Sequence, residues 1–252
     1  MAGQAMDSCG VELLMPEEST TNGEMTDAVM TLQEVAAYLK VSEKTILRMI
    51  QAGELPGLKV SNQWRFVRAV IDDWLTRRMY RTTSEKLSEV IQPRHPELSL
   101  ARLLTPARII MDLEPGAKKD VLARLVAPLV DEGTVTDPAA YMAALVGREE
   151  IVSTAIGDGV AIPHARDPEH AALAQSCMTL GICRAGMPFG ALDEKPTHLF
   201  FLIGGISTED HLRLVARTML ILRQPGFIDA LVGTGDQAAV AALIAQASEK
   251  NA

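Results

Sequence analysis

His164 closes the run Gly159-Val160-Ala161-Ile162-Pro163-His164, and Ala165 and Arg166 follow it. A short apolar stretch thus delivers one imidazole into a loop, and the proline biases Ile162 towards extended backbone and stiffens the approach. Histidine titrates nearest neutral pH, and its unprotonated nitrogen is a usable nucleophile. About fifty residues on, Asp210-His211-Leu212 opens a helical pattern. His211 then lies in the first turn of that helix, where free N–H groups and the helix dipole favour an anion. An unprotonated, exposed and oriented imidazole beside an anion-favouring helix start suggests a histidine that carries a phosphoryl group. Such transfer needs positioning and charge stabilisation more than covalent help.

Other chemistries have less support. The chain has no GxxxxGK[ST] loop, so an ATP-dependent kinase is not expected. His164, His211 and a cysteine could in composition hold zinc, but no short ligand spacing supports a metal site, and no cofactor is expected. Cys177 and Cys183 sit six apart on a predicted strand and share a packed face; with Cys9 they form no CxxC pair. An odd count and the absence of such pairs fit a reducing compartment. His170 is expected in an exposed loop or helix, and His198 at the start of a buried strand.

The chain has 252 residues, 48% of them hydrophobic, and a net charge of −8 that is unevenly spread. The first thirty residues hold six acids and no Lys or Arg, residues 31–95 sum to +4, and the remainder to −6. No signal-peptide pattern opens the chain and no apolar run reaches the length of a membrane span. A cytoplasmic protein without membrane insertion is expected. Composition divides it into an acidic, disordered tail at 1–29, a small domain at 30–80, a linker at 81–98 and a larger domain at 99–250.

In the small domain Thr31 and Glu34 form a capping box, and Leu32, Val35, Ala36 and Leu39 give an amphipathic stripe. Ser42 caps a second helix, with Val41 and Ile46 as a hydrophobic staple, and Gly53 ends it. Leu58-Lys59-Val60 and Trp64-Arg65-Phe66 flank a polar turn as two short strands. Val67, Val70, Ile71, Trp74 and Leu75 mark a third helix. This order resembles the excisionase/MerR-type winged-helix DNA-binding family over residues 31–78. The resemblance implies that the second helix enters the major groove, with Glu43, Lys44, Thr45 and Arg48 facing bases or phosphates. Lys59, Asn62, Gln63 and Arg65 on the wing would reach the backbone or minor groove. A single small module would bind tightly only as a dimer, so a homodimer is in view. The alternative is a three-helix unit used for protein contact or dimerisation.

In the larger domain, Ile109–Leu113 reads as a strand, 117–130 as a helix that Pro128 ends or kinks early, and Asp137-Pro138 as the start of a helix ending at Gly147. Met178 to Cys183 alternates as a half-buried strand, and the apolar run from His198 to Ile203 reads as a central one. Leu212, Val215, Ala216, Met219 and Leu220 form a helical stripe, and 236–249 a closing helix. The fold class is α/β (α+β), a mixed sheet flanked by helices, preceded by a winged helix-turn-helix.

That order, with Arg148-Glu149-Glu150, the Gly157-to-His164 loop and Asp210-His211-Leu212, resembles the enzyme IIA domain of the bacterial phosphoenolpyruvate-dependent phosphotransferase system, of the fructose/mannitol and nitrogen-regulatory type. The resemblance covers about residues 99–250. It implies that His164 accepts a phosphoryl group from the phosphohistidine of HPr or a nitrogen-branch homologue. It implies further that His211 stabilises the phosphoryl group or the first imidazole, and that Arg148 offsets its charge. Many family members carry glycine where this chain has Ala165. Joined to a DNA-binding module, such a domain implies a regulator of transcription or nitrogen metabolism. Two alternatives stay open: a sugar-transport enzyme IIA that passes phosphate to a IIB partner, and a DNA-binding regulator whose IIA-like domain senses without being phosphorylated.

Overall fold

The computed structural model describes residues 29–81, 96–165 and 167–249. The acidic tail, most of the expected linker and Arg166 lie outside the described residues. The first body opens with strand β1 (Val29–Thr31), then α1 (Leu32–Tyr38) and α2 (Glu43–Gln51), the wing strands β2 (Leu58–Val60) and β3 (Gln63–Val67), and α3 (Arg68–Arg81).

Local chemistry sets each of these boundaries. Thr31 Oγ1 accepts the Glu34 N–H at 3.3 Å while Glu34 Oε2 accepts the Thr31 N–H at 2.6 Å, the reciprocal box expected from the sequence. Ser42 Oγ accepts the Thr45 N–H at 3.2 Å and starts α2. The wing turns on Ser61 and Asn62, both at positive φ, the backbone that a two-residue hairpin of matching twist requires. The three strands pair antiparallel in the order β1-β3-β2 over a core of Val35, Ala36, Ile46, Leu55, Phe66 and Ile71. Val67 finishes β3 rather than starting the third helix, because it pairs with Val29.

The second body begins with a 3-10 turn at Pro96–Leu98, whose Leu98 is buried, so this end of the expected linker is part of the fold. Then come α4 (Leu100–Leu103), β4 (Ile109–Ile110), α5 (Lys118–Asp131), α6 (Pro138–Ile151), β5 (Ala155–Gly157) and β6 (Val160–Ala161). The long strands β7 (Cys177–Met187) and β8 (Thr197–Gly204) follow, then α7 (Thr208–Leu222), α8 (Phe227–Gly233) and α9 (Gln237–Glu249). The sheet is mixed, in the order β4-β7-β8-β6-β5; β4 runs parallel to β7, β6 parallel to β8, and the other two pairs are antiparallel.

Helices cover both faces, so β7 is buried on both sides rather than half-buried. Met178, Leu180 and Ile182 face one core with α4, α7, α8 and α9, while Cys177 and Cys183 face the other with α5 and α6. That is the continuous apolar pattern of a central strand.

Three further expectations are corrected. The strand at 109 is only two residues long, although Leu113 N–H still reaches Ile182 O at 3.0 Å. Pro128 does not stop α5, which runs to Asp131. It sits one turn from the helix end, and the carbonyl it leaves without an amide partner belongs to exposed Arg124, where water can serve. Gly147 does not end α6 either. The helix continues to Ile151 because the side chains of Arg148 and Glu149 bond the segment that follows it, Arg148 to Val152 O and Glu149 to Thr154.

Candidate functional site

β5 and β6 form a hairpin whose turn, Gly157-Asp158-Gly159, has positive φ at every residue. Glycine tolerates that backbone at little cost, and the reversal aims β6 along β8. Beyond β6 the chain stays stitched to its neighbours. Ile162 N–H donates to Thr154 O at 3.0 Å, Ile203 N–H donates to Pro163 O at 2.9 Å, and His164 itself bridges Ile203. The imidazole is fixed too, with Nδ1 2.8 Å from Ile162 O. A carbonyl can only accept, so Nδ1 carries the proton and Nε2 holds the lone pair. That Nε2 is buried and has no hydrogen-bond partner.

His211 stands beside it, with ring centroids 4.7 Å apart at 44°. It projects from the first turn of α7, whose cap Ser207 accepts the Asp210 N–H at 3.1 Å. Ser176 Oγ donates to Asp210 Oδ2 at 2.9 Å and accepts the Ile206 N–H at 3.2 Å, tying this helix start to the entrance of β7. The approach is close: a Cβ on Gly205 would lie 2.6 Å from the His211 amide nitrogen. Backbone cannot yield there as a flexible side chain can, so Gly205→Ala is expected to cost about 2–3 kcal/mol and to lower Tm by several degrees in a thermal melt.

Arg148 lies in the last turn of α6 and is 1% exposed. Its Nη1 donates to Val152 O at 2.7 Å, while Nε and Nη2 have no partner. Glu149 was not singled out for a role in the sequence. Its Oε2 accepts from Thr154 N–H at 3.0 Å and Thr154 Oγ1 at 2.6 Å, and its Oε1 from Lys118 Nζ at 2.7 Å. It therefore clamps the strand start that carries the Ile162 bond. The Arg-Glu pair in the sequence was its only signal.

The structure thus places His211 beside His164, with the charge of Arg148 acting on both. It overturns one expectation: the nucleophilic nitrogen is not exposed, and His164 and His211 are 3% and 4% accessible. The other body packs on the elements that carry these residues. α3 packs against α6, α7 and β5, and Arg68 Nη2 reaches Thr208 Oγ1 at 3.4 Å.

Burial, then the charges of Arg148 and His211, holds His164 well below the usual histidine range, against the pull of the Ile162 bond. Burial, then Arg148 and Arg68, brings His211 down to about 4. Both rings are neutral in the fold at pH 7. The unfolded chain binds protons below pH 6.5 that the fold refuses, so stability is present above 6.5 and falls as pH drops towards 4. At pH 5 a histidine of this kind costs about 2 kcal/mol. Urea melts of the wild type and His211→Asn at pH 7 and pH 5 should show a smaller pH loss in the variant.

His170 is exposed beside Asp167, and His198, at the second residue of β8, bonds Cys183 O through Nδ1 at 3.1 Å. Among the described residues no group of three or more His, Cys, Asp or Glu is placed to hold a metal ion. Within the described residues, no helix is long and apolar enough to cross a membrane.

On the first body Glu43, Lys44, Arg48, Lys59, Asn62 and Gln63 are exposed. Thr45 is half-buried and its hydroxyl lies 2.9 Å from Ser42 Oγ, so it is engaged in the cap. Arg65 is half-buried and donates to Gln63 Oε1 at 2.6 Å and to Trp64 O at 3.0 Å.

The second body is a helix-flanked mixed sheet that carries the histidine pair, and the first is a helix-turn-helix unit with a small sheet. Residues 102–247 match the family described as "Phosphoenolpyruvate-dependent sugar phosphotransferase system, EIIA 2", and the chain belongs to it. Residues 29–79 match a helix-turn-helix domain family. The chain is 32% identical over 127 residues to the fructose-specific EIIABC component of Bacillus subtilis, covering 50% of this chain and 20% of that protein. It therefore spans about a fifth of that relative's length. It is 32% identical over 136 residues to the nitrogen regulatory protein of Pseudomonas aeruginosa, covering 53% of this chain and 86% of the relative. The crystal structure of the nitrogen regulatory protein IIA-Ntr from Neisseria meningitidis superimposes with a TM-score of 0.52 at 27% identity, over 57% of this chain and 98% of that one.

Proposed function

We propose that residues 99–250 are a phosphohistidine carrier and that residues 30–80 bind DNA, so that the phosphorylation state of the first governs the second. The observation that carries the reading is the unpartnered lone pair of His164 Nε2 beside the His211 ring and the buried Arg148, two of whose guanidinium nitrogens have no partner. HPr or its nitrogen-branch homologue presents a phosphohistidine. The Nε2 lone pair of His164 attacks phosphorus, the donor's P–N bond breaks, and the donor imidazole leaves with the bonding pair. His164 keeps its Nδ1 proton on Ile162 O, which steadies the positive charge left on the ring. The free N–H groups of Arg148 and the start of α7 meet the phosphoryl oxygens.

The DNA half of the reading rests on the exposed Glu43, Lys44 and Arg48 of α2 and on Lys59, Asn62 and Gln63 of the wing, with Thr45 and Arg65 at their margin. In this scheme the linker is shorter than 81–98, because Pro96–Leu98 belongs to the second body, and the protein works in the cytoplasm, as a dimer when bound to DNA. A second reading, transport, is favoured by the identity to a fructose-specific component; His164 would then pass its phosphate to a IIB protein.

The test is incubation of the full chain with phosphoenolpyruvate, enzyme I and either carrier, followed by DNA-binding measurements with and without phosphate. Acid-labile phosphate together with a changed DNA affinity supports the regulatory reading. Phosphate that moves on to a IIB protein and leaves DNA affinity unchanged supports transport. Absence of phosphate from both carriers contradicts the phosphocarrier reading.

A further inference from the structure

The geometry points to α3 of the helix-turn-helix unit as an intramolecular gate on the His164 site: closure of α3 and a phosphoryl group on His164 exclude one another. This rests on the phosphocarrier reading above. A donor phosphohistidine must come within about 3–3.5 Å of Nε2 in line, and Nε2 is buried. The His211 ring centroid stands 4.7 Å from that of His164, and a helix from the other body packs on the elements that carry the site. α3 lies on α6, which carries Arg148, on α7, which carries His211, and on β5. Arg68 bonds Thr208, the first residue of α7, three residues before His211. Leu75 and Met79 pack into the core of the second body, and Arg223 Nη2 donates to Met79 O at 2.9 Å.

The charges on this face select between the two states. Asp72 is buried and accepts from Tyr38 Oη at 2.5 Å, and Asp73 pairs with Arg77 at 2.8 Å. Both carboxylates, together with Glu149 of α6, act electrostatically on Arg148 against the charge of Arg77, and the Nε and Nη2 of Arg148 make no hydrogen bond. In the closed form the acids of α3 share with Glu149 the balancing of the buried guanidinium. A phosphoryl group brings about −1.5 to −2 charge and three acceptor oxygens to the same place. It takes the free N–H groups of Arg148 and turns Asp72 and Asp73 from counter-charges into like charges in a dry site, where repulsion is strong. It also needs volume that the buried Nε2 lacks. Meanwhile α2 keeps Glu43, Lys44 and Arg48 exposed in the closed form, so the gate covers the phosphoryl site and leaves the proposed DNA face open. Phosphorylation then changes how the two bodies are joined rather than uncovering the DNA surface.

The experiment uses the full chain with Cys9→Ser and spin labels at Gln33→Cys on α1 and Lys119→Cys on α5, both exposed positions. Inter-label distances are measured by pulsed electron paramagnetic resonance before and after phosphorylation by HPr or its homologue. Transfer rates are compared between the wild type and Asp73→Lys, which removes Arg77's partner and adds a cation to Arg77 against Arg148. The gate predicts one narrow distance in the unphosphorylated chain and a longer, broader distribution after phosphorylation. It also predicts opening in Asp73→Lys without phosphate, with transfer about tenfold faster. The wild-type distance comparison stands even where Asp73→Lys misfolds. Normal phosphate uptake with an unchanged distance overturns the gate and leaves the phosphocarrier reading intact. So does an opened Asp73→Lys that accepts phosphate no faster. No phosphate on either the wild type or a folded, opened Asp73→Lys overturns both.

Discussion

A His164→Ala chain is expected to take up no acid-labile phosphate above background from phosphoenolpyruvate, enzyme I and either carrier, a loss of at least about a thousandfold. The size of the effect follows from the site's composition. His164 holds the fixed lone pair, whereas His211 has no comparable tether and sits where an anion is to be received. The fold should survive the change. The alanine leaves Ile162 O without its 2.8 Å partner, a cost of about 1–3 kcal/mol, while the backbone bonds from Ile162 and to Pro163 remain. A thermal melt within several degrees of wild type, beside absent phosphate, separates lost chemistry from lost structure.

Arg148→Ala is expected to slow transfer by about 10²–10³. Two of its guanidinium nitrogens are free and the third holds Val152 O at 2.7 Å, so one side chain both shapes the segment after α6 and offers charge to the incoming group. Arg148→Lys should fall between the two. It keeps a positive charge, but a compact ammonium cannot hold Val152 O and present a planar fork at once. Transfer rates for the three chains, with the carrier concentration varied, show whether the loss falls on docking or on the chemical step. Equal rates for Arg148→Ala and wild type would remove the arginine from the mechanism.

Much of this site was legible in the sequence because it is written in local chemistry. Proline before His164 and the flanking glycines specify a stiff loop, and Asp210-His211-Leu212 at a helix start specifies where the second ring stands. Caps at Thr31, Ser42 and Asp137 set helix starts that the structure repeats. What was not legible depends on long-range partners. Gly147 reads as a helix end until Arg148 and Glu149 find Val152 and Thr154. Pro128 reads as a break until its turn is seen to face outward.

The packing of α3 on the second body belongs to the same class. Periodicity in 68–81 marks Ile71, Trp74 and Leu75 as one helical stripe, and says nothing of Arg68 reaching Thr208 or of Leu75 and Met79 joining the core of the second body. Only the packing of α3 on α6 and α7 reveals that.

The central claim is that His164 Nε2 is the phosphoryl acceptor. Long-range proton–nitrogen correlation spectra of the uniformly ¹⁵N-labelled, phosphorylated full chain test it most directly. The predicted result is one modified imidazole, His164, phosphorylated at Nε2 and still protonated at Nδ1, with the His211 ring unmodified. Phosphate on Nδ1 of His164, or on any other residue, would contradict it.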